Sequence, residues 1–185
     1  MACGTAPKVH IRPPECETTG GIYNLHYSGD DIDYVMSPDS NNLEDDAFIS
    51  DIITDAGEGF YQIAPHKEGD QLPTFSNGKE RDDNGVATQT EEIIFVIKSD
   101  TPDTRSVINK LFGKVVDILI TYNGDYEYKY EIVQDVRMTA KNFDSTNRRW
   151  TVTFKKVNPE VEGKLVFKTD AATTKTLIES VMAAQ

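Results

Sequence analysis

Residues 115–155 read VVDILITYNGDYEYKYEIVQDVRMTAKNFDSTNRRWTVTFK, and the fold turns on this stretch. Val115 to Tyr122 is rich in β-branched residues and apolar on both faces except at Asp117, as in a strand covered on both sides. Asn123-Gly124 is the strongest short hairpin signal. The returning segment alternates, with Tyr126, Tyr128, Tyr130 and Ile132 on one face and Glu127, Lys129 and Glu131 on the other. Gln134-Asp135 interrupts it, and Val136, Met138 and Ala140 begin a further strand. Asp144-Ser145-Thr146-Asn147 makes a turn, after which Trp150, Val152 and Phe154 alternate with Thr151, Thr153 and Lys155. Four antiparallel strands joined by short turns predict a β-sandwich or a small β-barrel.

Upstream, Val86 to Lys98 reads as a strand ending in a continuous apolar run. Thr101 can then cap a helix, Pro102 suits its first position and Asp103 complements its dipole. Val107, Ile108, Leu111 and Phe112 form one stripe, and Gly113 stops the helix, which spans about 101–112. Shorter strands are expected at Ile22–Tyr27 and Phe60–Ala64, while Ala47–Ile53 fits either a strand or a helical turn. Long polar loops are expected at 36–58 and 65–85, and residues 1–19 read as an arm rich in proline and small polar residues. Downstream, 164–168 is a short strand or a docking segment. Leu177, Ile178, Val181 and Met182 place a C-terminal helix in 169–185. The expectation is a mainly β protein: one domain over 20–168, one flanking helix and one terminal helix.

The chain holds 31 acidic and 19 basic side chains, a net charge of −12. Residues 1–100 carry 20 acidic and 6 basic groups, whereas residues 101–185 carry 11 and 13. That balance argues against a protein that grips duplex DNA through phosphates, and against a polybasic membrane-surface protein. Cys3 and Cys16 do not make a disulfide framework and are read as free thiols. No charged and apolar leader precedes Cys3, so the expectation is a chain made in the cytoplasm. His10, His26 and His66 lack metal-ligand spacing, and no phosphate-binding loop, dinucleotide fingerprint or nucleophile elbow occurs. Asp30-Asp31-Ile32-Asp33 and Glu44-Asp45-Asp46 do not follow a calcium-loop pattern and read as solvated charge. No enzyme, cofactor or metal site is therefore expected. The tyrosines 126, 128 and 130 fit sheet packing, or less readily a platform for a sugar or peptide in a monomeric binding module.

The stretch from Ser99 to Glu162 resembles phage tail tube proteins. The likeness lies in the capped helix Thr101–Gly113, the segment Lys114–Ile120, the Asn123-Gly124 turn before a tyrosine-bearing strand, and Asp144–Phe154. The opening, from Met1-Ala2-Cys3-Gly4 through Glu15-Cys16 to Gly20-Gly21-Ile22, resembles the start of tail structural proteins. The resemblance implies a β-sandwich or barrel subunit in hexameric rings, stacked into a tube that conducts DNA during ejection from the virion. It also implies contacts with other tail proteins and no membrane. Tail terminators, baseplate tube initiators and Hcp-like secretion rings share that fold. The arm and the two long loops would reach neighbouring rings. Glu127, Glu131 and Asp135 would line the lumen, where carboxylates repel phosphates and let DNA slide.

Overall fold

The computed structural model describes residues 22–30, 32–37, 48–63, 73–81, 87–123, 129–157 and 163–182. The 1–19 arm, the Glu44-Asp45-Asp46 cluster, Tyr126, Glu127 and Tyr128 lie outside them. The described elements run β1 (Ile22–Ser28), β2 (Ile32–Ser37), β3 (Phe48–Thr54), β4 (Phe60–Ile63), β5 (Thr74–Arg81) and β6 (Ala87–Ile97). They continue through α1 (Pro102–Leu111), β7 (Val115–Tyr122), β8 (Tyr130–Asp144), β9 (Arg149–Lys156), β10 (Lys164–Val166) and α2 (Ala171–Ser180).

The strands belong to one mixed sheet with the path β2-β3-β10-β8-β7-β1-β4, from which β9, β6 and β5 branch at β8. Among the described strands, only β3 and β10 pair in parallel; the other strand pairings are antiparallel. Among the described residues β2, β4 and β5 each have a single strand neighbour, so the sheet folds over without closing into a barrel.

The fold-over happens in β8. Gln134-Asp135, expected to end a strand, instead forms a bulge inside one strand of 15 residues. Asp135 has φ 54, a left-handed conformation that Asp tolerates and a β-branched residue does not. The Asp135 N–H donates to Asp117 Oδ1 at 2.9 Å, and its carbonyl accepts from Val157 N–H at 2.7 Å. The first half of β8 pairs with β7 and β10, and its second half pairs with β9.

A core lies on each face of β7. Val116, Ile118 and Ile120 join Val133, Val136, Phe95 and Phe154 in an inner core between the two halves of the folded sheet. Val107, Ile108 and Leu111 of α1 plug that core, as the helical stripe requires. On the other face Leu119, Tyr130, Ile132 and Phe60 form a second core, covered by Ile49 and Ile52 of β3 and by Leu177 and Ile178 of α2. Both helices start on a capping side chain: Thr101 accepts from Thr104 N–H, and Asp170 accepts from Thr173 N–H.

The β7–β8 register departs from a two-residue hairpin. Tyr122 N–H donates to Lys129 O at 2.8 Å and Thr121 pairs with Tyr130, so six residues, 123–128, make the connection. A turn on Asn123-Gly124 alone would set Ile118 opposite Lys129 and Ile120 opposite Glu127. The observed register sets Leu119 opposite Ile132 and Ile118 opposite Val133. Apolar cross-strand matching thus overrides the local turn preference, and the four-residue shift keeps every side chain on its own face.

Parts of both expected loops are strands. Residues 48–54 of the 36–58 loop are β3, and residues 74–81 of the 65–85 loop are β5. Thr74-Phe75-Ser76-Asn77-Gly78 reads as turn material, yet an edge strand with exposed side chains tolerates Asn77 and Gly78. The ambiguous Ala47–Ile53 segment resolves as the strand β3, and 164–168 contributes the short strand β10.

Candidate functional site

Of the acidic residues expected on a lumen wall, the two described ones, Glu131 and Asp135, lie in different settings. Glu127 lies outside the described residues. Asp135 is exposed at the bulge. Glu131, between them in sequence, points to the interior and is half-buried. Its Oε2 accepts from the Tyr122 hydroxyl at 2.6 Å.

Glu131 sits beside a buried ion pair. Lys156 Nζ and Glu91 Oε2 are 2.9 Å apart, with side chains 1% and 0% exposed. The other Glu91 oxygen accepts from Gly163 N–H at 2.8 Å. A Cβ at Gly163 would come within 3.0 Å of Glu131 Oε1, so the close approach calls for glycine. Burial raises the Glu131 pKa and the neighbouring Glu91 carboxylate adds to that, while the Tyr122 hydrogen bond and Lys156 oppose it. Burial also pushes the Tyr122 hydroxyl up, helped by Glu131. The Glu91–Lys156 pair is sealed from solvent, and the cluster ties β6, β9 and the start of β10 together; it is a structural pin rather than an open reaction centre.

A second polar group supports the bulge. Tyr34 Oη donates to Asp117 Oδ2 at 2.5 Å, and Asp117 N–H donates to Ser28 Oγ at 2.8 Å. Burial holds Asp117 above the usual carboxylate range, against the hydrogen bonds from Tyr34 and Asp135 N–H and the charge of Lys156. Asp117 is thus the one charged residue in an otherwise largely apolar strand, and it satisfies the bent backbone of β8. Tyr34 lies on β2 in a stretch that reads as an acidic loop. The signal for it is the alternation of Ile32, Tyr34 and Met36 with Asp33 and Val35.

The open surfaces lie elsewhere. Phe112, 45% exposed, carries Lys141 Nζ 4.8 Å above its ring centre. Phe143, 37% exposed, carries Arg105 at 5.1 Å and packs on Trp150 at 4.8 Å. Lys141 also donates to Asn109 Oδ1. Arg105 makes a two-pronged bond to Asp100 at 2.5 and 2.9 Å, and Arg148 reaches the same carboxylate at 3.4 Å. The hydrogen bonds from Arg105 hold the Asp100 carboxyl below its usual range. α1 and the β8–β9 hairpin therefore share one exposed aromatic and cationic face.

Tyr130 is 7% exposed and belongs to the second core, so it offers no ligand platform, and Tyr126 and Tyr128 lie outside the described residues. Trp150 packs half-buried against the inner core. Among the described residues no three His, Cys, Asp or Glu side chains gather as metal ligands, and no helix is long and apolar enough to cross a membrane. No family model matches the chain, and no curated protein or solved structure matches it.

Proposed function

We propose that the chain is a structural subunit of a phage tail tube, assembling with itself into hexameric rings that stack around DNA. The observation that carries this reading is the open sheet. Among the described residues β2, β4 and β5 each leave one edge without a strand partner, and an unpaired edge is a template for pairing with another chain. Pairing between copies would extend the sheet around a ring. The β5–β6 hairpin adds a second means of contact. β9 supports β6 only along Glu92–Ile97, so residues 77–81 and 87–91 pair with each other alone among the described strands. Glu91 is still buried against Lys156 of β9, and beyond it residues 78–81 and 87–90 have no further strand partner among the described residues.

Function under this reading is mechanical rather than chemical. A lumen bearing carboxylates repels phosphates, so DNA passes without adhering. Exposed Asp135 remains a lumen candidate in this scheme, while Glu131 serves the fold. The subunit would reside in the virion tail, in contact with other tail proteins.

Negative-stain electron microscopy of the concentrated protein tests the proposal. Rings with a central hole, or tubes of stacked rings, are the expected result. A field of separate single subunits at every concentration would refute it.

A further inference from the structure

We infer that Lys156 and Glu91 are the two halves of an intramolecular amide cross-link, formed when Lys156 Nζ condenses with the Glu91 carboxyl group. The inference is independent of the tube reading. Lys156 Nζ lies 2.9 Å from Glu91 Oε2, and the two side chains are 1% and 0% exposed. The cluster is closed to outside substrates, so its reactants are its own side chains. Gly163 N–H donates to Glu91 Oε1 at 2.8 Å. That donor polarises the carboxyl group and stabilises the negative charge that develops on Oε1 during attack. Glu131 supplies a second carboxyl group for moving protons. Its Oε1 and Glu91 Oε1 lie 3.0 and 3.5 Å from the one point that a Cβ at Gly163 would occupy. Tyr122 Oη fixes the other Glu131 oxygen by donating to it at 2.6 Å. Burial favours the acid form of Glu131.

The step balances without a co-reactant. A proton passes from Nζ to Glu91 Oε2 across their hydrogen bond and leaves a neutral amine beside a neutral acid. The nitrogen lone pair attacks Glu91 Cδ, and the bond from Cδ to Oε2 breaks. Glu131 gives its proton to the departing oxygen and takes one from the nitrogen. Of the three ammonium protons, one stays on the amide nitrogen and two are accounted for in the water that leaves with Oε2. Oε1 remains as the amide oxygen, still held by Gly163 N–H. The driving force is burial itself. Two ions taken out of water carry a desolvation penalty, whereas the amide that replaces them is neutral.

The bond ties β6 to β9 where their pairing ends. Glu92 and Lys155 are the last paired residues of the two strands, and Glu91 and Lys156 come next. Joining them encloses residues 92–155 in a loop that holds most of the inner core. Such a tie confines the unfolded chain as a disulfide does, without thiol chemistry.

Intact-mass spectrometry of the denatured full chain tests the bond, with peptide mapping to locate it. The ion pair of the structure is the unjoined form, and joining proceeds from it as the folded protein is incubated at neutral pH. The expected result is a mass lower by one water, with the peptides that hold Glu91 and Lys156 recovered as one branched species. Parent protein incubated in urea should keep the full mass, because the groups no longer meet. Lys156→Arg keeps the cation but removes the amine, and its mass should match its sequence. Glu131→Gln, compared with the parent by circular dichroism, should join at least about a hundredfold more slowly. A parent whose mass stays at the sequence value throughout, or a water lost equally from Lys156→Arg, would overturn the cross-link. Joining of Glu131→Gln at the parent's rate would overturn the part given to Glu131.

Discussion

The two cores lie on opposite faces of β7 and β8 and are closed in different ways. The inner core draws fourteen of its nineteen buried members from residues 93–154, and the other five come from β1 and β4. Its central pair, Phe95 and Phe154, stack with ring centroids 6.0 Å apart and planes 4° apart. The second core is covered by β3 from the first third of the chain and by β10 and α2 from its end. The inner core therefore forms largely through contacts near in sequence, while the second must close two long loops. The difference implies a rigid centre carrying a cover assembled later.

Truncation separates the two most sharply. Phe154→Ala should cost about 3–5 kcal/mol and lower the urea midpoint of the whole domain. Leu177→Ala, in the cover, should cost about 2–3 kcal/mol and speed amide exchange in α2 before that in β9. Equal exchange in the two elements would break the distinction.

The ion pair beneath the inner core gives an effect of similar size with a different signature. Lys156→Met leaves the Glu91 carboxylate buried without its cation and should cost about 3–5 kcal/mol. Adding Glu91→Leu should recover most of that in urea titrations. A double variant as unstable as the single one would show that the charges are needed as such.

The bulge that joins the two regions comes next. Asp135→Val places a β-branched residue at a positive φ and should cost about 1–3 kcal/mol, whereas Asp135→Gly should be nearly neutral. If both behave alike in thermal melts, the conformation at Asp135 does not hold the bend.

The smallest effect is on pH dependence. Burial raises the pKa of Glu131 and of Asp117 in the folded chain. Their contribution is full below the unfolded value of about 4 and is lost as pH rises through the folded values. Asp100, Asp144 and Asp170 run the other way: hydrogen bonds lower them, so their contribution is present above about 4 and lost as pH falls. Stability should therefore decline from mildly acidic toward neutral pH, and Glu131→Gln should flatten that decline. An unchanged slope in melting temperature against pH would place Glu131 in a more solvated setting.

The inner core was largely legible in the sequence because its strands alternate cleanly and its helix carries its own stop and start signals at Thr101, Pro102 and Gly113. The second core was not. Its cover strand β2 hides in an acidic stretch whose period-two pattern spans only Ile32 to Met36, and β10 is three residues long. The hairpin register was misread because Asn123-Gly124 is a local signal, whereas pairing Leu119 with Ile132 is a long-range gain. The buried cluster of Glu91, Lys156 and Glu131 could not be found from spacing, since its members come from three strands. The cationic face on α1 and β8 was visible only as a near-neutral second half of an acidic chain.

The central claim is that the chain assembles with itself, and light scattering over a wide concentration range tests it most directly. The account predicts particle masses that rise to multiples of the 20.7 kDa chain and reach six or more copies. A mass that stays at one chain at the highest concentration would contradict it.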